Sequence, residues 1–415
     1  MKKIIFLLMI NLILTNKIII PMDESQTDHI KAYGIAFWSL QNNNPVDWLL
    51  NYKGGSFILK NNPDIENECI IRGVSYSEIR ASDINNIYQT IEENNMEIVL
   101  LEKSPKIAVY SPPDKQPWDD AVTLALTYAE IQYDIIFDKE ILLGELKKYD
   151  WLHLHHEDFT GQYGKFYKNY HNKSWYIEMQ HSFEQSAQEY NFNSVSDMKK
   201  NIAQRIKDYI INGGFLFAMC SATDSFDIAL AAQNVDIAAS VFDGTPIDPH
   251  CQSKLNFNNS LAFENYDLYT DPLVYEYSTI DIPSSHIPNQ KDAEKDYFTL
   301  FEFSAKWDRV PTMLTQNHTP IIKGFMGQTT GFNKDYLKDY ILVLGEDPAS
   351  KQTKYIHGNV GKGTFTFLGG HDPEDYKHYI GDPPTDLMLH RNSPGYRLIL
   401  NNVLFPAAKK KKRKT

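Results

Sequence analysis

Short apolar runs alternate with longer amphipathic stretches along the chain, most clearly after Pro105. KIAVYS (106–111) is an apolar run ending on the turn residues Pro112, Pro113 and Asp114, and it predicts a strand. WDDAVTLALTYAEI predicts a helix, with Asp119 and Asp120 in the first turn, where carboxylates meet the positive end of the helix dipole. YDIIFD predicts a second strand, ILLGELKKY a second helix and DWLHLHH a third strand. MKKNIAQRIKDYIINGG predicts a helix closed by Gly213 and Gly214, followed at once by the apolar strand FLFAMC and the helix SFDIALAAQNV. VPTMLT, PIIKGFMG, YILVLGE and GTFTFLGG predict later strands, and GYRLILNNVLF a closing helix. Residues 243–300 are irregular and polar, in the manner of an insertion or lid. Strands alternating with helices imply parallel crossovers, hence an open, doubly wound, mostly parallel α/β sheet covered on both faces.

The first hundred residues pattern differently. KAYGIAFWSL and WLLNYKGGSFIL have strand character, and SDINNIYQTIEEN predicts a helix with Ser82 as its N-cap, so residues 27–102 predict a small α+β module. Ahead of it, Lys2 and Lys3 precede an apolar run, Ile4–Leu14, of export-signal length, and the apolar pattern resumes at Ile18-Ile19-Ile20-Pro21. Residues 1–22 are therefore expected to be a signal peptide or N-terminal anchor, which places the protein outside the cytoplasm, in the periplasm or anchored in the envelope. Apolar content of 42% is that of a folded protein, and a net charge of −12 argues against a nucleic-acid partner, which needs a basic face. The tail Lys409–Lys414 is wholly basic, so the rest of the chain is more acidic still. Association with an anionic membrane surface through this tail or the N-terminal segment is one expectation, and a solvated end is the other. Three cysteines, Cys69, Cys220 and Cys251, are too few for a disulfide framework.

In open α/β sheets ligands gather beyond the C-terminal ends of the strands. Cys220 stands there, between FLFAM and a helix. Such a corner turns a nucleophile out of the sheet, and the helix end can lower a thiol's pKa and hold an oxyanion. His371, after the strand GTFTFLGG, is the matching base, with Asp372 and Glu374 close behind as candidate orienting carboxylates. His153, His155, His156, Glu157 and Asp158 follow the third strand. Their side chains suit a divalent metal, but the spacing matches no strong metal signature, so they are assigned to substrate, with Gly161–Phe166 as an aromatic flap. Ser221, Thr223 and Asp224, in S-A-T-D-S, form a further polar rim that binds substrate or caps the helix. No cofactor and no metal is assigned.

GGFLFAMC paired with GGHDPE resembles the class I glutamine amidotransferase-like superfamily over roughly residues 105–408. That resemblance implies a flavodoxin-like sheet with Cys220 as nucleophile, His371 as base and Glu374 as orienter. Alanines, Ala218 and Ala222, stand where that family has glycines, and the inserted Asp372 competes with Glu374 for the third role. As a whole, from WLLNYKGGSF to GYRLILNNVLFPAAKKKK, the chain resembles a bacterial family labelled asparagine synthetase B, although Lys2 stands where its authentic members carry a catalytic Cys. Three functions follow as expectations: a Cys-dependent hydrolase or amidotransferase acting on an amide or other small-molecule substrate, an ATP-dependent ligase of the asparagine synthetase kind, and a non-catalytic ligand-binding protein of the envelope.

Overall fold

The computed structural model describes residues 17–113, 119–281, 297–314, 319–325, 327–347, 352–374 and 383–408. Two sheets organise them. The first contains β1 (Lys17–Ile20), β2 (Val46–Leu50), β3 (Ser56–Lys60), β4 (Ser77–Ile79) and β5 (Glu97–Leu101) in the order β4-β1-β3-β2-β5, every pair antiparallel. Its side chains alternate as the pleat requires. Ile18, Ile20, Trp48, Leu50, Phe57 and Leu59 face the helix His29–Gln41, while Ile19, Leu49 and Ile58 face the helix Ala81–Glu93.

The second sheet has nine strands. They are β6 (Ile107–Tyr110), β7 (Asp134–Ile136), β8 (Trp151–Leu154), β9 (Phe215–Met219), β10 (Tyr297–Leu300), β11 (Ile321–Lys323), β12 (Leu342–Asp347), β13 (Gln352–Val360) and β14 (Gly363–Leu368), ordered β11-β10-β12-β13-β14-β9-β8-β6-β7. The half from β14 to β7 is parallel and the half from β14 to β11 is antiparallel. The expected flavodoxin-like, doubly wound, mostly parallel sheet is therefore replaced by a mixed one. Connection length explains the change. Parallel neighbours need a crossover of a dozen or more residues, whereas β13 turns into β14 through Gly361 and Lys362 alone, with Gly361 at φ +58°.

Other local expectations shift too. KAYGIAFWSL lies within the helix His29–Gln41, not a strand, and VPTMLT holds a single helical turn at Pro311–Met313. Arg80, not Ser82, is the N-cap of the helix Ala81–Glu93. The apolar run Ile18-Ile19-Ile20 is strand β1, paired on one side with β3 and on the other with β4, so an export segment has to end before Lys17 and not at residue 22. Residues 1–16 and the basic tail lie outside the described residues, and among those described no helix is long and apolar enough to cross a membrane.

One apolar core fills the space between the sheets, and the helices His29–Gln41, Ala121–Tyr128 and Pro394–Leu404 lie within it. Buried Arg397, on the last of these, donates through Nη1 to Met22 O (3.1 Å) and through Nη2 to Gly54 O (2.7 Å). A second core lies on the other face of the large sheet, under the helices Val195–Ile211 and Ser221–Ala231. There Lys199 forms a buried ion pair with Asp138 at 2.9 Å, and Tyr110 donates its hydroxyl to the same carboxylate.

β1 fills a slot between two downstream strands, so its removal strands two rows of backbone donors and acceptors. A chain lacking residues 1–22 is expected to be insoluble or to melt at least several degrees below the full chain, while one lacking only residues 1–16 keeps the full-length melting midpoint. Differential scanning calorimetry of the two truncations checks this.

Candidate active site

The register of the parallel strands sets the site. Leu154 of β8 pairs with Ala218 of β9, and Leu368 of β14 pairs with Met219, so the three strands end within a residue or two of one another. The next residues, His155, Cys220 and the segment Gly369-Gly370-His371, are delivered to one rim. β8 and β14 flank β9, roughly 9–10 Å apart, and their imidazoles reach across its end. The His371 ring centroid lies 4.7 Å from that of His155 and 4.3 Å from that of His156.

Cys220 occupies the corner between β9 and the helix Ser221–Ala231 with φ +51° and ψ −140°, a left-handed conformation that a side chain adopts only under strain of about 1–3 kcal/mol. Its N–H donates to Gly370 O (3.1 Å), which locks the corner to the His371 segment. Gly370 has φ +89°, and a Cβ there would run into Phe325 O, so the approach of this segment requires glycine. The thiol is 2% exposed, covered by Gly327–Gly331. A Cβ on Gly327 would sit 2.8 Å from His371 Cβ and 3.4 Å from Cys220 Sγ, so cysteine and histidine flank this glycine. Gln328 meets the sulfur with both backbone groups. Its carbonyl, 2.9 Å away, takes the thiol proton, and its N–H faces the sulfur as a donor that favours thiolate. Burial outweighs that donor and the Ser221 N–H, and pushes the thiol up to about 12.

Around this corner the other expected residues divide. His155 and His156 stand ring on ring at 3.9 Å. His153 donates from Nδ1 to Phe217 O (3.0 Å) and turns Nε2 to Asp120 Oδ2 at 3.3 Å, and His155 Nδ1 lies 3.3 Å from the same oxygen. Asp120 is the residue that the sequence pattern hides. It reads as a first-turn carboxylate and is the helix N-cap, since Oδ1 accepts from Val122 and Thr123 N–H, while Oδ2 serves the two histidines. Burial alone would raise Asp120, but the two imidazoles hold it well below the usual carboxylate range. Burial lowers His155, against the pull of Asp120. Glu157 accepts the His155 N–H (2.9 Å) and is pushed up to about 7 by burial.

The proposed orienting carboxylates point elsewhere. Asp372 accepts from the Tyr396 hydroxyl, which lies 2.9 and 2.8 Å from its two oxygens, from the Glu374 N–H (2.9 Å) and from Thr385 (3.1 Å), and burial raises it to about 6. Glu374 pairs with His390 Nδ1 at 3.3 Å. Asp158 binds Thr160 and the Gly164 N–H, and so closes the turn instead of facing substrate. The Gly161–Phe166 stretch is no open flap. Tyr163 is buried against Tyr176 and Phe183, and Lys165, lowered to about 8 by burial, donates to Tyr269 and Asp271 carbonyls. The hydroxyls of Ser221 and Thr223 donate to His156 O and Cys220 O, and the Ala222 and Thr223 N–H groups donate to His155 O and Cys220 O. These bonds occupy the Ala222 and Thr223 amides, while the Ser221 N–H faces the Cys220 sulfur. Asp224 Oδ1 accepts from Thr329 Oγ1 (2.9 Å), which fastens the covering segment, while its buried Oδ2 has no hydrogen-bond partner among the described residues. Burial pushes this carboxyl up to about 7.

No family model matches the chain, and no curated protein matches it in sequence. Solved structures overlap it loosely. A cytoplasmic protein of Salmonella typhimurium matches with a TM-score of 0.36 at 11% identity, over 74% of this chain and 100% of its own. A second, from Salmonella typhimurium LT2, gives 0.35 at 14%, over 73% and 100%. A beta-galactosidase from Bacillus circulans sp. alkalophilus gives 0.27 at 12%, over 65% of this chain and 29% of the enzyme. Likenesses this loose carry no activity across.

Asp224 supplies a pH test. The folded chain holds its proton up to about pH 7, whereas the unfolded chain releases it near the usual carboxylate value of 3.8. The stability due to the protonated carboxyl is thus complete below about pH 4 and is lost as pH rises towards 7. Asp224→Asn, which stays neutral, should gain on the wild type between pH 5 and 7 by up to about 1.4 kcal/mol per pH unit in urea unfolding. A constant difference across that range would contradict the raised carboxyl.

Proposed function

We propose that this protein is a thiol-dependent hydrolase or acyl-transfer enzyme for an amide or ester, with Cys220 as nucleophile and His371 as base. The observation that carries this reading is the strained left-handed corner at Cys220, a non-glycine residue held at the strand-to-helix turn where nucleophile elbows place theirs. His371, whose Cβ lies beside Gly327 as the Cys220 sulfur does, supports it.

In this mechanism His371 takes the thiol proton and the sulfur attacks the substrate carbonyl carbon. The tetrahedral intermediate collapses to a thioester as the imidazolium returns the proton to the departing amine or alcohol. Water, deprotonated by the same imidazole, then cleaves the thioester, releasing the acid and regenerating the thiol. The closed arrangement is the resting form, because the thiol proton is given to Gln328 O and the sulfur is covered. Substrate entry requires Gly327–Gly331 to lift, which removes that carbonyl and hydrates the corner. Orientation of His371 falls to its imidazole neighbours instead of Glu374 or Asp372, whose carboxylates are engaged with His390 and Tyr396. The ATP-dependent reading draws no support from the helix end at Ser221–Thr223.

p-Nitrophenyl acetate at pH 8 is expected to acetylate Cys220, seen as an added acetyl mass on the Cys220 peptide, with Cys69 and Cys251, both buried, as internal references. His371→Ala should slow the acylation by about 10²-fold or more. Equal labelling of the three cysteines, or none at Cys220, would overturn the proposal.

A further inference from the structure

The rim holds more imidazole than a thiol–base pair uses. One ring nitrogen from each of His155, His156 and His371 lies within 4.8 Å of the other two. The contacts of His155 and His156 resemble those of metal-binding histidines, whose second nitrogen is held by a carboxylate or carbonyl. His155 presents Nδ1 to Asp120 Oδ2, and its Nε2 is fully buried with no hydrogen-bond partner among the described residues. His156 Nε2 lies 2.9 Å from Asp119 O, and since a carbonyl only accepts, that nitrogen carries the hydrogen and Nδ1 keeps its lone pair. The His155 lone pair, buried without a donor among the described residues, is costly, and a cation satisfies it.

We propose that His155, His156 and His371 form a binding site for one divalent transition-metal ion of the zinc type, with Asp120 and Asp119 O as the groups that orient the ligands. Imidazole nitrogens select zinc, cobalt or nickel over magnesium or calcium, which prefer oxygen. At tetrahedral angles two nitrogens each about 2.1 Å from one ion stand roughly 3.4 Å apart, so a cluster whose nitrogens lie within 4.8 Å of one another closes by at most about 1.4 Å. The His155 and His156 rings, now stacked, rotate out of parallel to share the ion. Three protein ligands leave a fourth position for water or substrate.

The site shares His371 with the thiol chemistry. An ion bound there occupies the lone pair that would accept the Cys220 proton, so metal should silence acylation. That consequence rests on the proposed function, but the binding does not.

The test is titration of chelator-treated full chain with cobalt(II) chloride, followed by its visible absorption. One equivalent per chain is expected, with bands of a nitrogen-rich site. His371→Ala and His156→Asn should each abolish these bands, Asp120→Asn should weaken binding about 10- to 100-fold, and Cys220→Ser and the exposed His171→Ala should bind as the wild type does. Far-UV circular dichroism of each variant separates ligand loss from unfolding, and half-buried His156 serves if a buried-histidine variant does not fold. Unchanged binding by folded His156→Asn would overturn the site. Binding kept by His371→Ala but lost in His153→Ala would move the ion to the neighbouring Asp120, His153 and His155 group and overturn it equally. A chain that binds cobalt but is never acylated at Cys220 retires the thiol function alone, and one acylated without binding cobalt retires the ion alone.

Discussion

Parallel pairing of β8, β9 and β14 is the constraint on which the site depends. Strands that run together and end together present their next residues at one height, and here those residues are His155, Cys220 and the Gly369–His371 segment. Everything chemically unusual follows from crowding three chain turns onto that edge. Cys220 takes a left-handed backbone, Gly370 tolerates contact with Phe325 O, and Gly327 leaves just enough space between a cysteine and a histidine. Buried polar groups brace the edge from below. The Lys199–Asp138 pair lies at the ends of β6 and β7, and Asp120 joins the helix it caps to two histidines of the β8 turn.

Much of this was legible in the sequence because strands buried on both faces read as apolar runs and rim residues follow directly after them. β6, β8, β9 and β14, the helix after Cys220 and the placing of Cys220 and His371 just beyond their strands are all visible that way. The helix His29–Gln41 was not. It lies between two sheets with most of its residues buried, so it shows no polar face at the helical period and reads as a strand. In the antiparallel half β11 and β12 fall in runs that read as strands, but β13 was hidden because it contains Lys354 and His357, both buried, in a segment without clean alternation.

The third member of the site shows why adjacency in sequence misleads. Asp372 and Glu374 follow His371 in the chain, but a chain leaving a strand end turns, and their carboxylates turn with it towards Tyr396 and His390. The acidic partner of the cluster is Asp120, over thirty positions upstream of His153, and its capping role accounts fully for its presence until the fold brings the imidazoles alongside. A cap that also serves a site has one oxygen for each task, a division that sequence patterns do not display.

The helix Pro394–Leu404 has a consequence for the order of events during synthesis. It packs against the helix His29–Gln41 that covers the first sheet, and Arg397 satisfies carbonyls of Met22 and Gly54 that were made some 350 residues earlier. Tyr33 likewise waits for Asn401. The amino-terminal strands therefore leave the ribosome long before their own interior exists, and β1 must also wait for both neighbours. Such a chain is sealed by its last helix. Until that helix arrives the nascent protein carries an open apolar seam.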